Sequence, residues 1–404
     1  MDYTFLGQRE DGSRLFLSPS QRAGHLATFG LSQSGKTELL RHIASQDILA
    51  GHPVVVFDPA CDSRIFSSIY EAADQAHRLE DLVLLAPNMP EYSISIDPMD
   101  KNLFSSHQIA KNLLSLWGRG WDNSATAFVH RTFRLAVAGA RVFNTRDDGG
   151  RQHILDILER MGTPDEMRDL LGSWFRKSAA VFKPGGGNLP LERLRAGKNI
   201  ILVVLPDSHG DMTTGRVFLS MLLECLKSLS IRLKIPMAIH LDEAHFFANL
   251  LAVTEMLEGE NPPPAWISAH FEDPDQIYQD IKPCYADTLL TNMGTKAIFR
   301  SSAPSTVHLA RTLFGQELHE QDLTSALATQ APGQFYLHDG TQWQSEVPIE
   351  TGQTVGLPFA VQFGLKRLVG LGKGLRFWKP VNCRSSLNLA AMEYNLEKRK
   401  AVCA

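Results

Sequence analysis

The 404-residue sequence contains no apolar run approaching the ~18 residues that a membrane-spanning helix requires. Its first residues, Met1 to Thr4, show neither the basic nor the apolar segment of a secretory signal peptide. The five cysteines are far apart, odd in number and without zinc-site spacing, which indicates reduced thiols. These absences predict a cytoplasmic protein with no direct membrane insertion, which a partner could recruit to the inner membrane.

The sequence also lacks an excess of basic residues. It has 40 Lys and Arg and 44 Asp and Glu, so the net charge is −4. A chain of this balance is not a general nucleic-acid binder, so any contact with DNA must be local. One segment departs from the balance: residues 351–392 contain no acidic residue but six basic ones, with aromatic residues among them. That composition suits DNA binding, although a solvated loop or a subunit-docking strip is the favoured interpretation.

Short apolar runs of β-type residues punctuate the sequence, and helical patterns such as 37–50 and 215–233 separate many of them. The runs are continuous rather than alternating, which is typical of strands buried on both faces of a parallel sheet. Strands that alternate with helices predict an α/β core of three layers. The predicted strands are 26–30, 54–58, 82–86, 200–206, 238–242, 266–271, 295–300 and 334–338.

The interval 104–184 interrupts this alternation, since it carries helical periodicity and no convincing strand. We predict that it is an all-α insertion domain. It divides the α/β core into a first part, residues 1–103, and a second part, residues 185–350. The basic segment, residues 351–404, follows the core and is expected to be rich in loops because glycines are frequent in it.

Residues 30–37, GLSQSGKT, match the pattern G-x-x-x-x-G-K-[ST] at each fixed position, after an apolar strand and before a helix. In this context, backbone N–H groups and the helix N-terminus bind phosphates, which a chance glycine-rich turn would not do. Lys36 is expected to reach the β- and γ-phosphates of ATP, and the Thr37 hydroxyl to bind Mg²⁺. The residues predicted to contact the nucleotide are Gly30, Ser32, Gln33, Ser34, Gly35, Lys36, Thr37 and Glu38.

Residues 237–243, MAIHLDE, form an apolar strand that ends in two acidic residues, as in a Walker B motif. We expect Asp242 to hold the Mg²⁺ shell and Glu243 to polarise the attacking water. A strand that merely ends in acidic residues is the alternative, which the P-loop upstream disfavours. Asp58, at the end of 54–58, either orders metal-bound water or only ends its strand before Pro59.

The strand 266–271 ends in a polar residue, His270, where motor ATPases place a sensor of the γ-phosphate. A satisfied surface histidine is the alternative reading of that position. Arg300 ends the strand 295–300 and Arg311 lies on the following helix. Either arginine could reach a neighbouring subunit's nucleotide as an arginine finger, although surface arginines are common.

With these motifs placed, residues 15–345 resemble the ATPase domain of the TraG/TraD-type coupling proteins of conjugation and type IV secretion, within the FtsK/HerA group of ring ATPases. The resemblance implies a RecA-like P-loop core with an all-α domain between the Walker motifs, and ATP and Mg²⁺ as ligands. It also implies a hexameric ring that moves DNA, with a relaxase or secretion-channel subunits as partners. It is carried by GHPVVVFDPACDSRIFSSIY, LVLLAPNMPEYSISIDPM, LDEAHFFANL, ISAHFEDPDQIYQD, LLTNMGTKAIFRSSAPSTVHLARTLFG and APGQFYLHDG.

Three features depart from that family. The transmembrane helices with which its members usually begin are missing, and His270 stands where they usually carry glutamine. A histidine there predicts activity that depends on pH near 6–7. Residues 244–265 contain no Arg or Lys, so the arginine finger would have to come from Arg300 or Arg311. The departures leave open a nucleotide-switched adaptor with weak hydrolysis, or a DNA-processing ATPase that needs a partner nuclease.

Overall fold

The computed structural model of the protein describes most of the α/β core. The described residues are 3–8, 14–60, 62–86, 93–96, 195–204, 222–228, 237–246, 265–280, 283–314, 320–338 and 349–351, with a few single positions besides. The predicted insertion domain lies outside these ranges. The predicted basic segment does so too, apart from its first residue, Thr351.

Eleven strands of the described chain form one sheet. They are β1 (Thr4–Gln8), β2 (Arg14–Leu17), β3 (Leu26–Phe29), β4 (Val54–Asp58), β5 (Leu82–Leu85), β6 (Ile200–Val204), β7 (Met237–Leu241), β8 (Ala265–Phe271), β9 (Thr295–Phe299), β10 (Gln334–His338) and β11 (Ile349–Thr351). From one edge to the other, the strand order is β2-β1-β11-β10-β9-β3-β8-β7-β4-β6-β5.

Helices and two short 3₁₀ turns connect the strands. The helices are α1 (Pro19–Ala23), α2 (Lys36–Leu49), α3 (Ser63–Gln75), α4 (Asp275–Asp280), α5 (Pro283–Asn292), α6 (Pro304–Phe314) and α7 (Glu320–Thr329). The 3₁₀ turns are Leu79–Asp81 and Ala244–Phe246, and residues 222–228 are also helical. Within the described ranges, no helix has both the length and the apolar character needed to cross a membrane.

The strands from β9 through β3, β8, β7, β4 and β6 to β5 pair in parallel. Each of the predicted strands is present, and the ends differ from prediction by at most two residues. Strands β4, β6 and β7 are buried at all five positions. Burial on both faces explains why their sequences are continuously apolar, as expected for a parallel sheet.

Three strands near the other edge of the sheet, β1, β2 and β11, were not predicted. There β10, β11, β1 and β2 pair antiparallel, and β10 joins the parallel part through β9. These added strands are short, and β2 alternates between exposed and buried positions. A search for continuous apolar runs misses a strand such as β2, because one of its faces meets solvent.

Strand β9 shows how helices cover both faces of the sheet. Phe299 packs in a cluster with Leu39 of α2, whereas its neighbour Ile298 packs with Val307 of α6 and Leu323 of α7. Successive residues of a strand point to opposite faces, so α2 lies on one side and α6 and α7 on the other. The predicted three-layer α/β architecture is confirmed for the described residues.

The antiparallel edge is integral to the core, because Phe335 of β10 is fully buried and its ring centroid lies 5.0 Å from that of Phe299. We expect Phe335→Ala to lower the free energy of unfolding by ~3–5 kcal/mol through cavity formation. Phe16 of β2 is 43% exposed, so Phe16→Ala should cost about 1 kcal/mol or less. Denaturant unfolding of the two full-length variants measures this difference. Equal losses would contradict the assignment of β10 to the core.

Candidate functional site

The candidate residues meet where the central parallel strands of the sheet end, at their carboxyl ends. Strands β3, β8, β7 and β4 are neighbours that run parallel, so their carboxyl ends lie side by side. The P-loop follows β3, His270 is the second-last residue of β8, Asp242 follows β7 and Asp58 ends β4. Ligands of open α/β sheets bind at this edge. One strand, β8, separates the P-loop strand from the Walker B strand, which places His270 between the two motifs.

Two glycines allow the P-loop to turn tightly. A Cβ on Gly30 would lie 2.6 Å from the Cβ of Phe299. A Cβ on Gly35 would lie 2.8 Å from the Cα of Gly333, and the φ of Gly35 is +114°. Neither position has room for a side chain, so the loop backbone packs directly against β9 and the turn before β10.

Three backbone hydrogen bonds anchor the P-loop to neighbouring segments. Gly30 N–H donates to the carbonyl of Glu272 at 3.0 Å, and Leu31 N–H to the carbonyl of Arg300 at 2.9 Å. Gly333 N–H donates to the carbonyl of Ser34 at 2.7 Å. The loop is thus held from the ends of β8 and β9 and from the turn before β10. The first turn of α2 then presents its backbone N–H groups at the sheet edge, where an anion can accept from them.

Lys36 is buried at the start of α2, and its Nζ donates to the carbonyls of Gly30 at 2.6 Å and Leu31 at 3.0 Å. Burial lowers the pKa of Lys36, and the charges of Glu243, Asp242 and Glu272 oppose that shift. The ammonium group therefore lies inside the loop among three acidic side chains. A phosphate bound in the loop would meet this cation directly.

Thr37 and Asp242 bring the two Walker motifs into contact. The Thr37 hydroxyl lies 3.3 Å from each carboxylate oxygen of Asp242. Burial, and then the charge of Glu243, raise the pKa of Asp242 to about 7. Asp58 is also buried, and burial followed by the charge of Asp242 raises its pKa well above the ordinary value. A hydroxyl and a carboxylate at this spacing are oxygen ligands of the kind that Mg²⁺ prefers.

Glu243 follows Asp242 in a tight turn and has a positive φ of 44°, which is uncommon for a residue with a side chain. The turn separates its carboxylate from the strand, and the side chain is 22% exposed. Burial raises the pKa of Glu243, Lys36 opposes the shift and Glu272 adds to it. A carboxylate with a raised pKa beside the phosphate-binding lysine is suited to accept a proton from water.

His270 is fully buried, so the alternative of a surface histidine is wrong. Burial, and then the charges of Lys36 and His240, lower its pKa well below the ordinary value. The ring therefore stays neutral near pH 6–7, and the expectation of a histidine-driven pH dependence in that range is wrong. The backbone of Lys36 lies near the ring, but neither ring nitrogen has a hydrogen-bond partner of good geometry among the described residues. A buried polar group of this kind calls for a ligand or water.

Three other predicted site residues, Glu38, Arg300 and Arg311, differ from those above in their contacts or in their place in the fold. The carboxylate of Glu38 pairs with Arg41 at 2.5 Å and with Arg64 at 3.4 Å. The carbonyl of Arg300 touches the P-loop of its own chain, which places this residue at the nucleotide edge. Arg311 lies in the last turn of α6, on the opposite face of the sheet from α2.

Sequence reasoning missed two residues of the site. Glu272 contributes its carbonyl to the P-loop and its charge to Lys36 and Glu243. Its position directly after the predicted sensor strand was the available signal. Gly333 supports the P-loop from a turn that the dipeptide Pro332-Gly333 marks in the sequence. The turn was predictable, but its contact with a loop some 300 residues earlier was not.

Comparison with known proteins agrees with the fold described above. No family model matches the sequence. The type 4 coupling protein DotL of Legionella pneumophila is 25% identical over 153 residues, a match that covers 33% of this chain and only 19% of DotL. The plasmid coupling protein TrwB, in complex with ADP and Mg²⁺, superposes with a TM-score of 0.61 at 14% identity, over 84% of this chain and 88% of TrwB.

The chain has the fold of conjugative coupling proteins. VirB4 of Thermoanaerobacter pseudethanolicus shares it with a TM-score of 0.61 at 13% identity, over 87% of this chain and 96% of VirB4. The predicted RecA-like P-loop fold and the resemblance to coupling proteins are therefore confirmed. At these identities the structural likeness establishes the fold, and the chemistry must be argued from the residues of this chain.

The contact between Gly333 and the P-loop can be tested with a matched pair of glycines. Gly333 and Gly51 have similar positive φ values, 89° and 86°, but nothing lies within 4 Å of a Cβ placed on Gly51. Alanine at either position should cost roughly 1–2 kcal/mol of stability through backbone strain. Only Gly333→Ala should also weaken ADP binding, because it displaces the P-loop. Thermal denaturation and ADP titration measure the two effects, and equal ADP affinity in both variants would refute the proposed support.

The raised pKa of Asp242 predicts an unusual dependence of stability on pH. The unfolded chain releases this proton near pH 4, whereas the nucleotide-free folded chain holds it to about pH 7, so stability falls as pH rises through that window. Asp242→Asn should therefore stabilise the free protein at pH 8 by an amount on the order of a few kcal/mol, and by less at pH 5. Denaturant unfolding without Mg²⁺ at both pH values measures this.

Asp62 supplies a control of opposite sign. Burial alone would raise the pKa of Asp62, but hydrogen bonds and charge from Arg64 outweigh it and lower the pKa. Its contribution to stability is present at neutral pH and is lost as pH falls. Asp62→Asn should therefore destabilise the protein at pH 8 and have little effect at low pH. The same sign for both variants would contradict the electrostatic account of the site.

Proposed function

We propose that this chain is the ATP-hydrolysing subunit of a motor that acts on DNA, or on a DNA–protein substrate. The observation that carries the proposal is the contact between Thr37 and Asp242, with Lys36 and Glu243 beside it. Those four side chains supply phosphate binding, metal binding and a base for water. A protein that only binds nucleotides has no need for the last of them.

The site fits ATP with Mg²⁺. Among the described residues, no group of three or more His, Cys, Asp or Glu side chains could hold a metal ion by itself. Mg²⁺ is usually held by one or two protein ligands together with substrate phosphates, and Thr37 and Asp242 supply such a pair. Bound there, the ion would neutralise charge that develops on the phosphates. The buried Oδ1 of Asp58 has no partner within the described chain, so Asp58 would be available to accept a hydrogen bond from water bound to the ion.

Hydrolysis by this constellation needs one proton transfer. Water attacks the γ-phosphorus, the bond to the β-phosphate oxygen breaks, and Glu243 accepts the proton of the water. Lys36 balances charge on the γ-phosphate while ADP leaves. His270, neutral and buried at the end of β8, can hydrogen-bond to the γ-phosphate or to the attacking water, and so act as the sensor. Arg300 and Arg311 stay candidates for the arginine finger.

The motor itself is proposed from the likeness to coupling proteins. TrwB is described as a bacterial conjugative coupling protein and DotL as a type 4 coupling protein. By analogy we infer a homo-oligomer, in the form of a hexameric ring, that handles single- or double-stranded DNA. A relaxase or secretion-channel subunits would be its partners, and it would work at the cytoplasmic side of the inner membrane. Analogy at the level of fold raises this expectation, and the next experiment decides it.

Steady-state ATP hydrolysis with and without DNA tests the proposal. Turnover by the full-length protein should rise when DNA is added. Lys36→Ala should abolish it through loss of nucleotide binding, whereas Glu243→Gln should retain ATP binding and lose ~10²–10⁴-fold in turnover. Glu71→Gln is the matched control, because Glu71 lies on α3 outside the site and should leave turnover unchanged.

Each failure has its own meaning. Turnover that is indifferent to single- and double-stranded DNA would refute the motor and leave an ATPase. Stoichiometric nucleotide binding by a monomer, without repeated turnover, would favour the nucleotide-switched adaptor instead. Wild-type turnover in Glu243→Gln would refute the assigned base.

A further inference from the structure

A buried ion pair lies beneath α2, outside the nucleotide-binding residues described above. Arg22 of α1 and Asp47 of α2 meet at 2.5 Å, and each side chain is 5% exposed. The Nε2 of His240 lies 3.0 Å from the same Asp47 oxygen. Buried ion pairs often contribute less to stability than apolar side chains of similar volume would. Stability alone therefore gives little reason for three ionisable groups at this place.

Asp47 and His240 connect the P-loop helix to the Walker B strand. Helix α2 begins at Lys36 and carries Asp47 on its buried side. His240 lies in β7, and Asp242 directly follows that strand, two positions later. Residues two apart in a strand share a face, so His240 and Asp242 both point towards α2. The helix is thus attached to this strand twice, through Thr37–Asp242 and through Asp47–His240.

Arg22 extends the network to the sensor strand. Its Nη1 lies 3.5 Å from the Ser268 hydroxyl, and its guanidinium carbon lies 5.7 Å from the ring centroid of Trp266. Trp266, Ser268 and His270 alternate along β8 and therefore share the face beneath α2. Through Arg22, Asp47 is linked to the strand that ends in His270 as well as to the strand that leads to Asp242.

The ion pair is complete at neutral pH. Burial alone would raise the pKa of Asp47, but the charge of Arg22 and the hydrogen bond from His240 outweigh it and lower the pKa. Loss of the Asp47 charge would leave the Arg22 guanidinium buried without its counter-ion, and a neutral side chain would accept more weakly from His240. Both strands would then be held less firmly to α2.

We propose that Asp47 is a positioning residue. Through His240 and Arg22, it holds the strands that lead to Asp242 and His270 at a fixed distance from the P-loop helix. The metal ligand and the sensor therefore meet the phosphates without rearrangement. This inference rests on the proposed nucleotide site and adds residues that do not touch the nucleotide.

The gain in ADP affinity that Mg²⁺ confers is the informative measurement, because it reports the alignment of Thr37 with Asp242. In Asp47→Asn, ADP affinity in EDTA should stay within about twofold of the wild type, while the gain from Mg²⁺ should fall about tenfold, as for loss of an outer-shell partner. Asp81→Asn is the control: Asp81 is buried just before β5 and pairs with Arg78, which donates to the carbonyl of Ile48 near the end of α2. It should lose thermal stability but keep the full gain from Mg²⁺.

A second variant separates folding from positioning. Arg22→Met combined with Asp47→Leu fills the same space with apolar atoms and should restore thermal stability towards the wild type. It still removes the acceptor of His240, so the gain from Mg²⁺ should stay reduced. A wild-type gain in this double variant or in Asp47→Asn, or an equal loss in Asp81→Asn, would overturn the inference alone. A wild-type chain that binds no ADP would overturn the nucleotide site and this inference with it.

Discussion

The contact between Thr37 and Asp242 is the interaction on which the candidate site depends, because it joins the end of the P-loop to the Walker B strand. It forms because β3 and β7 end at the same edge of a parallel sheet, with β8 between them. The glycines at 30 and 35 let the loop return close enough to the sheet for α2 to start above that edge. Strand order, loop stereochemistry and helix placement together set the distance between the Thr37 hydroxyl and the Asp242 carboxylate.

The same arrangement places several acidic side chains close together. Burial raises the pKa of Asp58, Asp242 and Glu243, and Lys36 is the cation that opposes the shift at the last two. In the free protein this arrangement costs stability, since carboxylates are held out of water and near one another. Binding of Mg²⁺ together with phosphates would relieve that repulsion, because the metal is then the largest local charge. A site that is unfavourable when free and favourable when loaded makes folding stability and ligand affinity depend on the same side chains.

Much of this was predictable from sequence, for identifiable reasons. Strands buried on both faces have continuous apolar runs, so the parallel part of the sheet was found almost to the residue, and the P-loop pattern is local. Strands β1, β2 and β11 were missed because polar residues interrupt their apolar character, and β2 alternates between exposed and buried positions. The contacts of Gly333, and the network of Arg22, Asp47 and His240, join segments far apart in the chain, and a single sequence carries no local signal for such meetings.

The burial of His270 changes the chemistry that its residue type would suggest. Coupling proteins usually carry glutamine at this position, and a histidine suggests a charge that switches with pH. Burial removes that possibility by lowering the pKa of the ring well below its ordinary value. A neutral imidazole offers one hydrogen-bond donor and one acceptor, as the end of a glutamine side chain offers both functions. The buried histidine can therefore perform the hydrogen bonding of the glutamine, and the departure in sequence is smaller in chemistry than in residue type.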